Sequence, residues 1–407
     1  MNIAVIGAGP AGMAAALQAA WQGEAVTLFE RNSDVGRKLL VTGSGRCNLT
    51  NDAVAPEKYA CADPLWIQTM LGSFGVRELS GFLRRIGILV YKTSDGWYYP
   101  LSNSAHSVVE TFHQALLQAN VTLRMKSPVR EIQSAAKGFL LSLDGEAGKE
   151  DHHFQKVIVA AGGMAHPNLG SRGELFPVLE KLGHTLLPKR PALAPVIAEL
   201  GSLVHLQGVR LDAGVELWKG ADRVAGSAGN IIFTEWGING PGVMDISHYI
   251  SAGPDGKFEL SLNFLRFFEA DFSDLLQDMR RTPAPLKVFL EAFFSPKTAS
   301  LLPQLAGLSE SIPLDRLDEA AVQKLIRSLR DVRLKVKGVK GFEVCQLSAG
   351  GIPVTEVDSP TMESRVRKGL HLAGETVDVV GPCGGFNLHF AFASGALAGA
   401  AAAKGPI

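Results

Sequence analysis

Six residues near the amino end limit what this chain can become: Gly7-Ala8-Gly9-Pro10-Ala11-Gly12. The run before them, Ile3-Ala4-Val5-Ile6, is apolar throughout, as a central parallel strand buried on both faces should be. A helix-prone stretch follows from Met13 to Gln22, then a second strand, Ala25-Val26-Thr27-Leu28-Phe29, ending in Glu30. Together these make a βαβ unit carrying GxGxxG with a terminal acid, the context that gives the motif its meaning. Gly7 permits the tight turn, Gly9 lets a pyrophosphate approach the backbone, and Gly12 lets the helix pack closely on the strand. The helix amino end offers free N–H groups and a positive dipole end to phosphate charge. Glu30 can accept hydrogen bonds from ribose hydroxyls. A dinucleotide is expected here, and the motif alone does not separate NAD from FAD.

The next segment does. Gly36 to Asn51 is rich in glycine and hydroxyls and carries Arg37, Lys38 and Arg46, so it can lay N–H donors against an extended anionic cofactor. The chain's 44 glycines gather in such clusters, which fits backbone held close to a ligand better than disorder. At 407 residues the chain is too long for one ordinary core and predicts two or three domains. Lys plus Arg equals Asp plus Glu at 40 each, a balance that favours neither nucleic acid nor an acidic membrane as partner. Cys47, Cys61, Cys345 and Cys383 have no metal-ligand spacing and fit a reduced, cytoplasmic setting. The amino end lacks the basic region of a signal peptide. The Ala-rich tail from Ala391 to Ala403 falls short of the ~20 apolar residues that span a bilayer.

The run Gly36 to Asn51 resembles the GRKxxxSGGGRCNxTN signature of the bacterial BaiN/YhiN-type flavoproteins, the aminoacetone-oxidase-family FAD-binding enzymes. The likeness recurs along the chain. Gly96-Trp97-Tyr98-Tyr99-Pro100 is similar to GRVFP, Val157 to Gly163 to a strand with ATGG, Pro191 to Pro195 to PALVP, and Phe233 to Pro241 to FTHxGxSGP. Ala349 to Ile352 resembles AGGV, Gly369 to Glu375 GLYFAGE, and Gly384 to Asn387 GGYN. Four positions depart from the pattern: Ser44 for a glycine, Trp97 for Arg, Glu235 for His and Asn239 for Ser. The resemblance implies FAD as cofactor, with NAD(P)H as a possible transient co-substrate, and a small-molecule substrate it does not identify. Together with the glycine turn it gives the expected cofactor-binding set: Gly7, Gly9, Pro10, Ala11, Gly12, Glu30, Arg31, Arg37, Lys38, Gly45, Arg46, Cys47, Asn48, Val129, Ala161, Gly162, Gly374, Glu375, Gly384, Gly385, Phe386 and Asn387.

Leu370 to Ala373 reads as a strand with Gly374-Glu375 at its carboxyl end, where ligands of open α/β sheets sit. Gly384 to Asn387 opens a helix with Asn387 as N-cap, and its amino end suits negative charge on the reduced flavin's N1–C2=O edge. Val157 to Val159 is another sheet strand. No second GxGxxG unit follows it, so a separate pyridine-nucleotide domain is not expected. The predicted fold is α/β, a Rossmann-like FAD-binding domain built from both chain ends, residues 1–189 and 343–407. Between them lie an inserted β-rich domain, 190–263, and a helical and strand part, 264–342, read as a cap forming a substrate pocket. Residues 203–260 alternate as antiparallel strands do, and 264–330 read as short helices broken at Pro283, Pro285, Pro296 and Pro303. Arg333, Lys335, Lys337 and Lys340 interleave with Val332, Leu334 and Val336, the pattern of a half-exposed strand rather than an RNA site.

The catalytic candidates are Glu235, as a base if burial raises its pKa, and Cys47 with Cys383 as a redox pair. Buried structural thiols are the better reading of the two cysteines. Arg46 suits an anionic substrate group or, better, the pyrophosphate. The leading expectation is an FAD-dependent oxidoreductase transferring hydride, as an oxidase or an NAD(P)H-dependent reductase. An FAD-dependent RNA-modifying protein and a non-catalytic flavin-binding regulator remain open beside it.

Overall fold

A computed structural model describes residues 1–145, 148–253 and 256–404. The chain divides into two compact units, Met1–Arg190 with Gln346–Ile407, and Pro191–Cys345.

The first unit is organised by a five-stranded parallel sheet in the order β19-β10-β1-β2-β6, where β1 is Asn2–Ile6, β2 Ala25–Phe29, β6 Thr122–Arg124, β10 Lys156–Val159 and β19 Leu370–Leu372. Ile3 to Val5, Val157 to Val159 and all three residues of β19 are buried, which is why the first two read as unbroken apolar runs; β19 buries His371 between two leucines. From β1 the chain first adds strands on one side, β2 then β6, and later on the other, β10 then β19. That reversal beside β1 makes it the switch point where ligands of such sheets bind. Two small antiparallel sheets flank this frame. One is β3 (Thr50–Asn51), β5 (Trp97–Pro100) and β4 (Val90–Lys92); the other is β7 (Val129–Ala135), β8 (Gly138–Gly145) and β9 (Gly148–Phe154). The chain leaves through β11 (Leu187–Ala192) and returns through β18 (Leu347–Gly351).

The first helix is Pro10–Ala20 and not Met13 to Gln22. Proline at its first position, with φ preset and no N–H to lose, starts it inside the motif. The last helix, Phe386–Ala402, lies along it in parallel. A Cβ on Gly395 would lie 2.0 Å from the Ala11 carbonyl oxygen and one on Gly399 2.1 Å from that of Ala15, so the two helices touch backbone to backbone. The two ends of the sequence meet in this contact.

The second unit is a closed six-stranded barrel, β12-β15-β14-β13-β16-β17, made of Val196–Ala198, Gly237–Asn239, Asp222–Phe233, Arg210–Lys219, Phe258–Asn263 and Val332–Val339. Ala213, Val215, Leu217, Ile231, Phe233, Leu260 and Leu262 fill it. The stretch 203–260 is not strand throughout: Gly201–Leu206 is a 3-10 turn, and Pro241–Met244 and Ser247–Ala252 are short helices. The helices after β16 are Glu269–Met279, Leu286–Leu290, Pro296–Leu305 and Glu319–Arg330. Pro283, Pro285 and Pro296 fall between or at the starts of helices, as expected. Pro303 does not break its helix and sits buried within it. On β17, Arg333 and Lys335 are exposed while Val332 and Leu334 are buried. Arg333 pairs with Asp331 at 2.5 Å and Lys337 with Glu199 at 2.5 Å, so acids offset this basic run.

Candidate functional site at the carboxyl edge of the parallel sheet

The glycine turn uses its three glycines in two ways. Gly7 has φ +101°, and a Cβ there would lie 2.4 Å from the Ala160 carbonyl oxygen; on Gly12 it would lie 1.8 Å from that of Gly7. Both are demanded by backbone packing. Gly9 has ordinary extended backbone and a Cβ there would meet nothing within 4 Å, so its backbone borders open space. The first helix has Gly9 as N-cap, no side-chain cap and no acid in its first turn. Its Met13 N–H reaches back to Gly9 at 2.9 Å, which leaves the Ala11 and Gly12 amides ahead of the ladder.

Glu30 is buried, and its carboxylate accepts from the Ala8 N–H at 2.8 Å and from the backbone and side-chain nitrogens of Asn32 at 2.8 and 2.7 Å. It therefore shores up the glycine turn. Arg37 donates to Asn32 Oδ1 at 2.9 Å, and Arg31 pairs with Glu174 at 2.6 Å. Val129 is buried in the core at the start of β7.

On the neighbouring strands, Ala161, Gly162, Gly374 and Glu375 reach the same edge. Lys38 pairs with Glu375 at 2.5 Å, and the other Glu375 oxygen accepts the Ser348 N–H at 2.9 Å. A Cβ on Gly163 would lie 3.1 Å from that oxygen, and one on Gly374 3.0 Å from the Ala11 Cβ. The residues singled out around the turn, the Arg37-Lys38 loop and the Gly374-Glu375 step are thus one neighbourhood.

The loop before β3 is wound tightly: Gly43, Ser44, Gly45 and Cys47 all have positive φ, at 56°, 56°, 83° and 64°. Cys47 is fully buried, and burial pushes its thiol up to about 11, so it stays protonated at neutral pH. Asn48 is buried, and neither polar atom of its side chain has a partner among the described residues. A Cβ on Gly385 would lie 2.8 Å from Asn48 Oδ1 and 2.5 Å from the Thr50 carbonyl oxygen. Backbone from β3 therefore fills the place where a capping side chain would sit.

That contact explains a correction: Asn387 is not the N-cap of the last helix. Gly385, at φ +98°, is the cap residue, with no side-chain cap and no acid in the first turn. Asn387 instead donates to the Gly381 carbonyl and accepts from its N–H, both at 2.8 Å, clamping the preceding turn. The His389 N–H bonds Gly385 at 2.9 Å, leaving the Phe386, Asn387 and Leu388 amides ahead of the ladder.

Two buried histidines went unread in the sequence. His389 links Thr50 Oγ1 at 2.8 Å to the Phe74 carbonyl at 3.2 Å, and burial lowers its pKa to about 4. It ties β3 to the last helix, and its place one turn after Gly385 was the only hint. His184 lies between Glu356 at 2.7 Å and Ser364 Oγ at 2.9 Å, a serine–histidine–carboxylate chain in outline. Ser364 Oγ is buried and already accepts the Val366 and Arg367 N–H groups, so the cluster braces a turn and holds no nucleophile.

The catalytic candidates fare differently. Glu235 lies exposed in the turn between β14 and β15, so it lacks the burial expected of a general base. Neither Cys47 nor Cys383 forms a disulfide, and the Cys383 sulfur lies 4.0 Å from Gln346 Oε1. No helix among the described residues is long and apolar enough to cross a membrane.

With this geometry in place, comparison decides the family: the HI0933-like protein Rossmann domain matches residues 1–401. The chain belongs to that family. It is 35% identical to the 3-dehydro-bile acid delta(4,6)-reductase of Clostridium scindens over the full length of both chains. It is 31% identical to the ribosomal RNA dihydrouridine synthase of Escherichia coli, over 96% of this chain and 95% of that one. Among solved structures, the 3-ketosteroid delta1-dehydrogenase of Sterolibacterium denitrificans shares the fold at TM-score 0.54 and 12% identity, covering 99% of each chain. This family member is an FAD-dependent oxidoreductase with a Rossmann nucleotide-binding fold.

Proposed function

We propose that this protein is a reductase that uses FAD to deliver a hydride to a carbon–carbon double bond conjugated to a carbonyl in a small organic molecule, with NAD(P)H as electron source. The observation that carries the cofactor placement is the stagger of two uncapped helix amino ends. Gly395 packs on Ala11 and Gly399 on Ala15, so the helices are parallel. The last helix begins nine residues before Gly395, the first only one before Ala11. Eight residues of offset put the two positive ends about 12 Å apart along the axis. A pyrophosphate at the first and a flavin pyrimidine edge at the second would be bridged by a ribityl chain.

The residues present fit such a group. Open space at Gly9 and the amides of Ala11 and Gly12 suit the pyrophosphate. Glu30, already held by Ala8 and Asn32, presents a carboxylate for ribose. The amides of Phe386 to Leu388 suit negative charge at the flavin's N1–C2=O edge, and the Asn48 carboxamide lies near Gly385 without a partner among the described residues. Arg31, Arg37, Lys38, Gly45, Ala161, Gly162, Gly374 and Glu375 complete the proposed cofactor set. Lys38 and Ser348 hold the Glu375 carboxylate in place rather than leaving it to rotate. Bound FAD supplies two-electron hydride chemistry.

The reaction class rests on what the two named relatives have in common. By their names, one reduces double bonds of a 3-oxo steroid acid and the other reduces uridine in RNA. Each is addition of hydride and a proton across a C=C conjugated to C=O. The full-length relative at 35% identity favours the small substrate, as does the 40-to-40 charge balance. RNA uridine is the second reading, favoured by the relative at 31% identity.

The test is direct. Protein purified without added cofactor should be yellow and release FAD on denaturation, and anaerobic NADH or NADPH should bleach it. A 3-oxo-4,6-diene steroid carboxylate should then restore the oxidised spectrum. Reoxidation only by uridine-containing ribosomal RNA would favour the second reading. Reoxidation by neither would sink both.

A further inference from the structure

The structure gives Trp97 particular neighbours. Along β5, Trp97 and Tyr99 share one face, and Tyr91 on β4 stands opposite Tyr99. Ring centroids are 6.2 Å apart for Tyr91–Tyr99 and 6.4 Å for Trp97–Tyr99, with interplanar angles of 33° and 39°. Arg46 lies with its guanidinium 4.5 Å over the Tyr99 ring and donates to the Tyr99 hydroxyl at 3.3 Å. The ladder ends on the half-buried indole of Trp97. A Cβ on Gly384 would lie 3.1 Å from Trp97 Nε1 and Cε2, and the Asn51 side chain ties the Gly384 carbonyl to β3 at 2.9 Å. The indole therefore edges the turn that opens the last helix.

Charge adds a second observation. Lys92, on the same sheet, is neutralised by Asp52 at 2.9 Å. Arg46 is exposed and has no carboxylate partner among the described residues. A guanidinium held over a tyrosine ring and bonded to its hydroxyl is pre-organised to meet a carboxylate or a phosphate with its remaining N–H groups.

We propose that Trp97 and Arg46 form the substrate-recognition wall of the reductase. The indole stacks on the flat ring that carries the conjugated double bond, and the guanidinium pairs with an anionic group further along the same molecule. The inference rests on the function proposed above and adds to it a substrate shape: a planar enone ring bearing an anion. A steroid carboxylate and a uridine phosphate both have that chemistry. It assigns Arg46 to the substrate and away from the pyrophosphate.

FAD-loaded protein is titrated without reductant, separately with a 3-oxo-4-ene steroid carboxylate and with uridine 5′-monophosphate, following the flavin absorbance. The probe that binds identifies the source. Trp97→Ala should weaken that probe about tenfold or more while FAD content stays at the wild-type level; Trp97→Phe should stay within about threefold. Arg46→Gln should retain FAD and weaken the anionic probe, and the steroid alcohol lacking the carboxylate should bind both proteins alike. Unchanged affinity in Trp97→Ala overturns the wall while the function stands. Loss of FAD from Arg46→Gln or Trp97→Ala overturns it in favour of a cofactor role. A wild-type enzyme that neither binds nor reduces either class of enone removes the proposed function and this inference together.

Discussion

The two compact units are held together by different means. In the parallel-sheet unit the decisive contacts are backbone on backbone: at Gly7, Gly12, Gly385, Gly395 and Gly399 a single added carbon would run into a carbonyl group. In the barrel the interior is made of side chains, with Val215, Leu217, Ile231, Phe233, Leu260 and Phe264 buried around one another. Among the described residues the barrel strands use the glycine device at the corner where Gly237 and Gly240 approach Val196 and Asn230. The difference teaches where sequence is strict. A side-chain core accepts other shapes of similar volume; a backbone contact accepts one residue type.

The largest effects should fall on removal of core volume and on intrusion at the helix pair. Phe233→Ala in the barrel should cost about 4 kcal/mol. Gly395→Val should cost about 3 kcal/mol by prising the last helix off the first, and it should empty the protein of FAD. Conservative changes separate the two regimes. Phe233→Leu should be tolerated at about 1.5 kcal/mol or less. Gly395→Ala should not, because its Cβ is itself the clashing atom, 2.0 Å from the Ala11 oxygen. Denaturant melts of the four variants check this, and equal costs for Phe233→Leu and Gly395→Ala would break the comparison.

The parallel-sheet unit should also be the acid-sensitive one. Burial lowers His371 and His389 to about 4 from an ordinary 6.5. The unfolded chain holds these protons near pH 5 and the folded chain does not, so stability is full above pH 6.5 and falls as pH drops toward 4. At pH 5 each histidine should have removed about 2 kcal/mol. His389→Leu should flatten that dependence while lowering stability at pH 7, since Thr50 and Phe74 lose their partner. Melts at pH 7 and pH 5 suffice, and an unchanged pH slope in the variant would remove His389 as a contributor.

The same contrast decides how much was legible. Gly7, Gly12 and the strand end after Val159 could be read residue by residue, because each is required by a local backbone geometry, whereas the hold of Glu30 on the Ala8 and Asn32 amides could not. The loop Gly36 to Asn51 stood out by its glycines and cations, yet its path could not be read, since the positive φ at Gly43, Ser44, Gly45 and Cys47 goes with packing against Tyr99 and Asn48. The alternation of Val215 to Lys219 announced strands without announcing closure. Barrel closure depends on β17 returning some seventy residues after β16, and nothing local specifies that. Asn387 was misread because N-cap preference is a statement about side chains, and here backbone from β3 occupies the cap. The spacing of Gly395 and Gly399, one helical turn apart, was the available sign of the helix contact and was passed over.

A smaller effect tests whether the wound loop carries strain. Ser44 has φ 56°, a conformation that costs an L-residue roughly 1 kcal/mol. Ser44→Gly should recover up to about 1 kcal/mol, less what the more flexible unfolded chain gains. A thermal melt reads it, and destabilisation would mean that the serine side chain makes a compensating contact.

The smallest stability effect should come with a clear loss of cofactor, and it separates the two kinds of glycine in one turn. Gly9 has extended backbone, φ −79° and ψ −176°, and space for a Cβ, so Gly9→Ala should change stability by no more than about 0.5 kcal/mol. If Gly9 is bare so that a pyrophosphate can touch its backbone, the added methyl takes the phosphate's place, and FAD affinity should fall at least about tenfold. Gly12→Ala, three residues on, should lose both stability and FAD, because its Cβ falls 1.8 Å from the Gly7 oxygen. FAD titration of the apoprotein beside a melt gives both readouts. A Gly9→Ala protein that binds FAD like the wild type would leave the turn as packing alone and move the pyrophosphate elsewhere along the sheet edge.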